Sequence, residues 1–175
     1  SAVNPYDFEE VFQRYADAGD DVVAIIFSKG MSATFQSAYI AQEKVDSDKI
    51  HLIDCENGAM GQSLLVKTAV SLRDAGKSAK EIEDAIRKLL PQTKTYIVID
   101  TMEYLKRGGR ISKSAALIGG LMKLHPVLQV VADGAKPVDK VKGKKSCNAW
   151  LVNRLLENPA DPDYPIVIGH SNAPE

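Results

Sequence analysis

The residues best suited to chemistry are small hydroxyls grouped between residues 27 and 39. Ser28, Ser32, Thr34 and Ser37 lie in this segment, with no histidine, cysteine or carboxylate among them. Such a group can supply a catalytic nucleophile, cradle a phosphate, or form the polar end of a binding pocket. The three chemistries require different surroundings, and these can be checked in the sequence.

Catalysis by this group lacks the usual partners. A serine nucleophile needs a base within hydrogen-bond reach and usually a third, orienting group. The three histidines are scattered along the chain, and residues 30–34 match only the first half of a glycine-flanked serine elbow. The glycine-rich Lys-Ser/Thr segment of a phosphate loop is also missing. A small hydrolase or transferase that uses Ser32 is therefore kept as the alternative function.

Anion binding has a simpler physical basis. The apolar spacing predicts a helix over residues 32–44, so the hydroxyls surround its first turn. That turn exposes unpaired N–H groups and partial positive charge, which suit a carboxylate. Ser32, Thr34 and the backbone could all donate to it. Ser32 could equally act as the helix cap alone, and the residue pattern leaves both roles open.

The elements around the hydroxyls predict an α/β fold. Buried strands are expected at residues 21–27 and 50–55, in alternation with helices, which is typical of a parallel sheet. Ligands of such sheets lie beyond the carboxyl ends of the strands. These ends fall at residues 28–32 and 54–61, so the hydroxyls stand where this architecture binds ligands. The other helices of this part are predicted at residues 4–19, 61–76 and 78–91.

The pattern changes after residue 93 and predicts a second α/β unit with a mixed sheet. A strand is expected at residues 95–100, a hairpin around Asp133-Gly134, a helix at 149–158 and a last strand at 164–170. We therefore divide the chain into a first domain, residues 1–93, and a second domain, residues 94–175.

Composition narrows the class of protein. The 175 residues are 45% hydrophobic with a net charge of −1, which suits a folded core and argues against a general polyanion binder. No signal-like start and no run of ~20 apolar residues is present, so we expect a cytoplasmic location without stable membrane insertion. Cys55 and Cys147 are expected to be buried free thiols rather than a disulfide or metal site.

Three stretches together resemble the DegV family, the bacterial fatty-acid-binding proteins that include the binding subunits of fatty acid kinase. They are residues 25–41, 51–86 and 95–145, and the most specific match is Glu-Tyr-Leu-Lys-Arg-Gly-Gly-Arg-Ile at 103–111. The similarity covers essentially the whole chain in order.

The resemblance implies a two-domain protein that encloses one long-chain fatty acid between its domains. The family's serine that binds the carboxylate corresponds to Ser32, with Thr34 beside it, while an apolar tunnel holds the tail. Candidate residues for the tunnel wall or entrance are Leu117, Ile118, Leu121 and Met122. No catalysis, cofactor or metal is implied, because ATP and its metal would belong to the kinase.

The same resemblance implies a fatty acid kinase catalytic subunit as partner. Lysines gather near the predicted hairpin edge and could form a docking surface for an acidic partner or only a solvated edge that resists strand pairing. They are Lys136, Lys140, Lys142, Lys144 and Lys145. The basic segment 105–113 lacks aromatic interleaving and predicts no nucleic-acid binding. Within it, Arg107 or Arg110 is expected to pair with an acidic residue across the domain interface.

The chain also departs from the family pattern. Ala33 replaces a usual glycine, Cys55 a usual serine, and His125 a common lysine. The family's threonine ligand would fall just before Ser1, and its His-Thr-Gly-Pro-Gly segment has no match. The sequence therefore resembles a piece lacking both ends. A third possibility, a pure interaction module, predicts no cavity.

Overall fold

The computed structural model describes residues 2–100, 103–109 and 124–171. The helices are α1 (Pro5–Asp17), α2 (Thr34–Val45), α3 (Ala59–Asp74), α4 (Ala79–Leu89), α5 (Glu103–Gly108) and α6 (Lys144–Glu157), with a short 3₁₀ turn at Leu90–Gln92. The strands are β1 (Val22–Ile26), β2 (Ile50–Asp54), β3 (Thr95–Val98), β4 (Leu124–Val131) and β5 (Gly134–Lys142). The α/β class predicted from the sequence is confirmed.

The first sheet is parallel, as predicted. β1 pairs with β2 in a register that runs from Val22 opposite Ile50 to Ile26 opposite Asp54. One face of the sheet packs through Ile53 on α3 and α4. The other face packs through Leu52 on α1 and α2. Apolar side chains therefore cover both faces of these short strands, which explains why their sequences are continuous hydrophobic runs.

The second sheet has the order β3-β4-β5 and is antiparallel throughout its described strands. The hairpin predicted around Asp133-Gly134 joins β4 to β5, and Gly134 takes a positive φ of 136°. Tyr96 of β3 meets Trp150 of α6 edge to face at 5.4 Å, and this contact packs α6 on the sheet. The predicted mixed sheet is not found among the described strands, because none of them pairs in parallel with a strand of this sheet.

The last predicted strand is wrong. Residues 165–170 form no regular structure, although their apolar residues favour a strand. Ile166 is 56% and Ile168 89% exposed, and neither pairs with a described strand. An extended segment becomes a strand only when a neighbour accepts its backbone hydrogen bonds, which its own sequence cannot show.

Candidate functional site

The carboxyl ends of β1 and β2 meet in one place, where two loops exchange backbone hydrogen bonds. The N–H of Cys55 donates to the carbonyl of Ile26 at 2.9 Å, and that of Ser28 donates to Asn57 at 3.0 Å. The two segments expected from the sequence to surround a ligand site, 28–32 and 54–61, are therefore in contact.

The first loop turns around Ser28. The Ser28 carbonyl accepts hydrogen bonds from the N–H groups of Met31 and Ser32 at 3.0 and 3.1 Å. Its hydroxyl is completely buried and donates to the carbonyl of Ala132 at 2.9 Å, while the Gly30 N–H approaches it at 3.3 Å. Ser28 therefore organises the loop and has no hydrogen-bonding capacity directed at a ligand.

Ser32 and Thr34 form a hydroxyl pair at the end of this loop. Their oxygens lie 2.8 Å apart, and Ser32 Oγ also accepts the Thr34 N–H at 3.2 Å. In a pair of hydroxyls one proton fills the shared hydrogen bond and the other stays available to an outside acceptor. Both side chains are half-buried, so this remaining donor is accessible to a ligand.

The hydroxyl pair stands at a helix start that lacks a side-chain cap. The N-cap of α2 is Ala33 rather than Ser32, and the Ala33 side chain accepts no hydrogen bond. Of the first-turn N–H groups, that of Thr34 donates to Ser32 Oγ. The first turn also contains no acidic residue. The N–H groups of Phe35 and Gln36 are thus the unpaired donors that every helix start leaves. Together with the hydroxyls they suit a carboxylate.

The second loop uses its polar groups internally. Asp54 Oδ1 accepts the N–H groups of Glu56 and Lys29 at 3.0 and 3.3 Å, and the Lys29 ammonium lies 3.7 Å from Oδ2. Asn57 is 2% exposed; its amide donates to Thr93 and accepts from Gly58. These side chains therefore brace the site. The loop leads into α3, whose N-cap Gly58 supplies no side-chain cap and whose first turn has no acidic residue.

Cys55 belongs to the same internal network. Its thiol donates to the Asn57 carbonyl at 2.9 Å. Burial, reinforced by the nearby Asp54 charge, raises the pKa of Cys55 to about 11. The thiol is therefore protonated at neutral pH and unsuited to nucleophilic attack. Cys55 and Cys147 are both free and buried, as the sequence predicted.

The other predicted residues have different outcomes. Leu117, Ile118, Leu121 and Met122 lie outside the described residues, as does Arg110. Arg107 pairs with Glu103 of its own helix. The two lie four residues apart, on the same helix face. The expectation that either Arg107 or Arg110 pairs with an acidic residue across the domain interface stays a prediction, because Arg110 lies outside the described residues. Lys140, Lys142, Lys144 and Lys145 are exposed.

None of the three histidines, all within the described residues, makes a hydrogen bond to Ser32. His51 Nδ1 lies 2.9 Å from Glu83, and His125 Nδ1 lies 3.1 Å from Asp100. Within the described ranges, no group of three or more His, Cys, Asp or Glu side chains is arranged to hold a metal ion. None of the described helices is long and apolar enough to cross a membrane.

Fold and site together define an α/β protein with an uncapped, hydroxyl-bearing helix start beside a parallel strand pair. The whole chain, residues 1–175, matches the family described as "Uncharacterised protein, DegV family". The chain therefore belongs to the DegV family.

Individual relatives agree with this assignment. The DegV domain-containing protein YteA of Lactococcus lactis is 37% identical over 181 residues, which cover 100% of this chain and 62% of YteA. A fatty-acid-binding DegV family protein from Thermus thermophilus superposes with a TM-score of 0.81 at 25% identity, over 90% of this chain and 56% of that one. DegV of Bacillus subtilis, described as a fatty acid binding protein, superposes with a TM-score of 0.75 at 26% sequence identity. The superposition covers 88% of this chain and 55% of the Bacillus protein. The chain thus spans between half and two thirds of these relatives.

Proposed function

We propose that this protein binds a long-chain fatty acid and holds its carboxylate at Ser32 and Thr34. The observation that carries the proposal is the hydroxyl pair, with oxygens 2.8 Å apart, at the uncapped start of α2. Hydrogen bonds to a charged group contribute about 1.5–3 kcal/mol, enough to orient a head group. The fatty-acid-binding descriptions of two solved relatives support this ligand class.

The tail would account for most of the affinity. Burial of a methylene contributes ~0.8 kcal/mol, so a long chain in a dry tunnel is strongly favoured. We assign the tunnel wall or entrance to Leu117, Ile118, Leu121 and Met122. The protein itself would be non-catalytic, without cofactor or metal, because Ser32 Oγ is bonded to Thr34 rather than to a base in the described structure.

Native mass spectrometry of the purified chain, before and after organic extraction, tests the proposal. We expect a mass excess of one fatty acid that disappears on extraction and is reduced in Ser32→Ala. Ser37→Ala is the matched control, because Ser37 Oγ donates within α2 to Ala33. Absence of lipid in the wild-type protein, together with no adduct when fatty acid is added, would contradict the proposal.

We further propose that the protein presents the bound carboxylate to a fatty acid kinase catalytic subunit in the cytoplasm. The lysines of β5 and the start of α6 would form the docking surface for this acidic partner. They make no ion pair with any described residue, and the nearby Asp139 is engaged by the Trp150 indole at 2.7 Å.

Charge reversal tests this docking surface. Lys140→Glu and Lys142→Glu should slow association with the kinase and weaken its salt dependence, with fatty acid affinity unchanged. Lys67→Glu on α3 is the control. Equal association rates for all three variants would contradict the docking surface and favour a solvated edge.

A further inference from the structure

The loop that carries Ser32 rests on a turn from the other sheet. This turn, Ala132–Asp133–Gly134, joins β4 to β5 and is more than one hundred residues away in sequence. The buried Ser28 hydroxyl donates to the Ala132 carbonyl at 2.9 Å. A Cβ added to Gly30 would stand 2.3 Å from that carbonyl oxygen and 2.5 Å from Asp133 Cα. The two backbones are therefore packed against each other.

A side chain at position 30 is excluded by contact with the turn and not by the backbone conformation of Gly30. The φ angle of Gly30 lies outside the left-handed region, in contrast with Gly19 and Gly76, which take φ of 80° and 79°. The atoms that a Cβ would meet belong to backbone and cannot rotate away. A side chain at position 30 would thus force the loop and the turn apart.

We propose that the turn 132–134 sets the conformation of the loop and that Ser28 and Gly30 are positioning residues for the carboxylate site. One residue joins the turn to Ser32. The Ser28 hydroxyl donates to the Ala132 carbonyl of the turn, and the Ser28 carbonyl accepts the Ser32 N–H at 3.1 Å. The inference rests on the proposed function for its ligand, but the support of the loop can be measured without one.

The same connection links the site to β5. Gly134 is the first residue of β5, and this strand continues into the lysine-bearing edge. A partner that shifts β5 would therefore act on the turn, and through Ser28 on the hydroxyl pair. Coupling of this kind is reciprocal: occupancy of the carboxylate site changes partner affinity by the same factor.

Amide hydrogen exchange of the 175-residue chain tests the inference first. Gly30→Ala and Ser28→Ala should each accelerate exchange of the Ser32 amide by roughly tenfold, the effect of one lost buried hydrogen bond. Amides of Leu52 and Ile53 in β2 should keep their protection, which shows that the variants remain folded. Gly134→Ala should also accelerate exchange, because alanine is strained at the φ of 136° that the turn takes there. Ser37→Ala, which removes a hydroxyl bonded within α2, is the control.

Titration with oleate completes the test. We expect roughly tenfold weaker binding in Gly30→Ala and Ser28→Ala, and wild-type affinity in the control. Unchanged Ser32 exchange in Gly30→Ala, Ser28→Ala and Gly134→Ala would overturn the positioning role. Accelerated exchange with unchanged oleate affinity would overturn its link to the site. A wild-type chain that binds no oleate would instead refute the proposed function, with the exchange data still deciding whether the turn supports the loop.

Discussion

The helices α4 and α2 differ in how their first turns are capped. At α4, the Ser78 hydroxyl accepts the Glu81 N–H at 3.3 Å, and the Glu81 carboxylate accepts the Ser78 N–H at 2.9 Å. This reciprocal capping box satisfies the first turn with the chain's own side chains. At α2 the cap position is Ala33, which accepts no such hydrogen bond through its side chain. The difference separates a helix start that serves stability from one that can serve a ligand.

The capped start of α4 shows how the N–H groups of a helix start affect a carboxylate, which bears on the start of α2. Hydrogen bonding from the Ser78 backbone, with further help from Lys77 and the Ser78 hydroxyl, lowers the pKa of Glu81 to about 2. Donors at a helix start thus stabilise the ionised form. We infer that a fatty acid at the start of α2 would be held as its carboxylate by comparable donors, supplied there by Ser32, Thr34 and the first-turn N–H groups.

A negative charge placed at the start of α2 should have the largest effect, which is on oleate affinity. Ala33→Asp puts a fixed carboxylate beside the hydroxyl pair, where it repels the ligand and competes for the same donors. We expect roughly tenfold weaker oleate binding by calorimetry, about 1.4 kcal/mol. Ala33→Asn, which has the same shape without the charge, is the control and should bind more tightly than Ala33→Asp. Equal affinities for the two variants would show that no carboxylate binds there.

Removal of the cap at the start of α4 should have a smaller effect, and on stability alone. Ser78→Ala is expected to lower the free energy of unfolding by about 1 kcal/mol, measured by urea denaturation, without a change in oleate affinity. Ser32→Ala should cost less stability than this, because Ser32 is not the cap of α2. A larger stability loss in Ser32→Ala than in Ser78→Ala would mean that Ser32 is chiefly structural.

The smallest expected effect is on pH dependence. Because the pKa of Glu81 falls from 4.5 to about 2 on folding, its stabilising contribution is present above pH 4.5 and is lost as the pH falls toward 2. The stability difference between wild type and Glu81→Gln should therefore shrink over this interval in acid urea titrations. A difference that is constant with pH would contradict the ionised capping box.

Much of this comparison was accessible from the sequence. The start of the helix predicted at residues 78–91 is confirmed, and its cap is a local feature because Ser78 and Glu81 are three residues apart. The hydroxyls at the end of β1 were equally visible, because strand and helix patterns bracket them. The exact cap of α2 was not, since the turn around Ser28 shifts the helix start to Thr34.

Long-range contacts left no trace in the sequence. Ser28 was noted among the hydroxyls, but its bond to Ala132 spans 104 residues, and no spacing rule connects two such positions. The sequence likewise gives no sign that Gly30 packs against the turn that joins β4 to β5. The failed strand at residues 165–170 has the same origin, because strand formation depends on a partner elsewhere in the chain.

The central claim is that α2 recognises a carboxylate, and a comparison of two ligands with one tail tests it most directly. Oleate and methyl oleate are titrated into the wild-type chain and into Ser32→Ala/Thr34→Val. We predict that the wild type prefers oleate by roughly tenfold or more, since hydrogen bonds to a charged acceptor are the stronger ones. The double variant should lose that preference while it retains binding of methyl oleate. An undiminished preference for oleate in the double variant, or no preference in the wild type, would contradict the account.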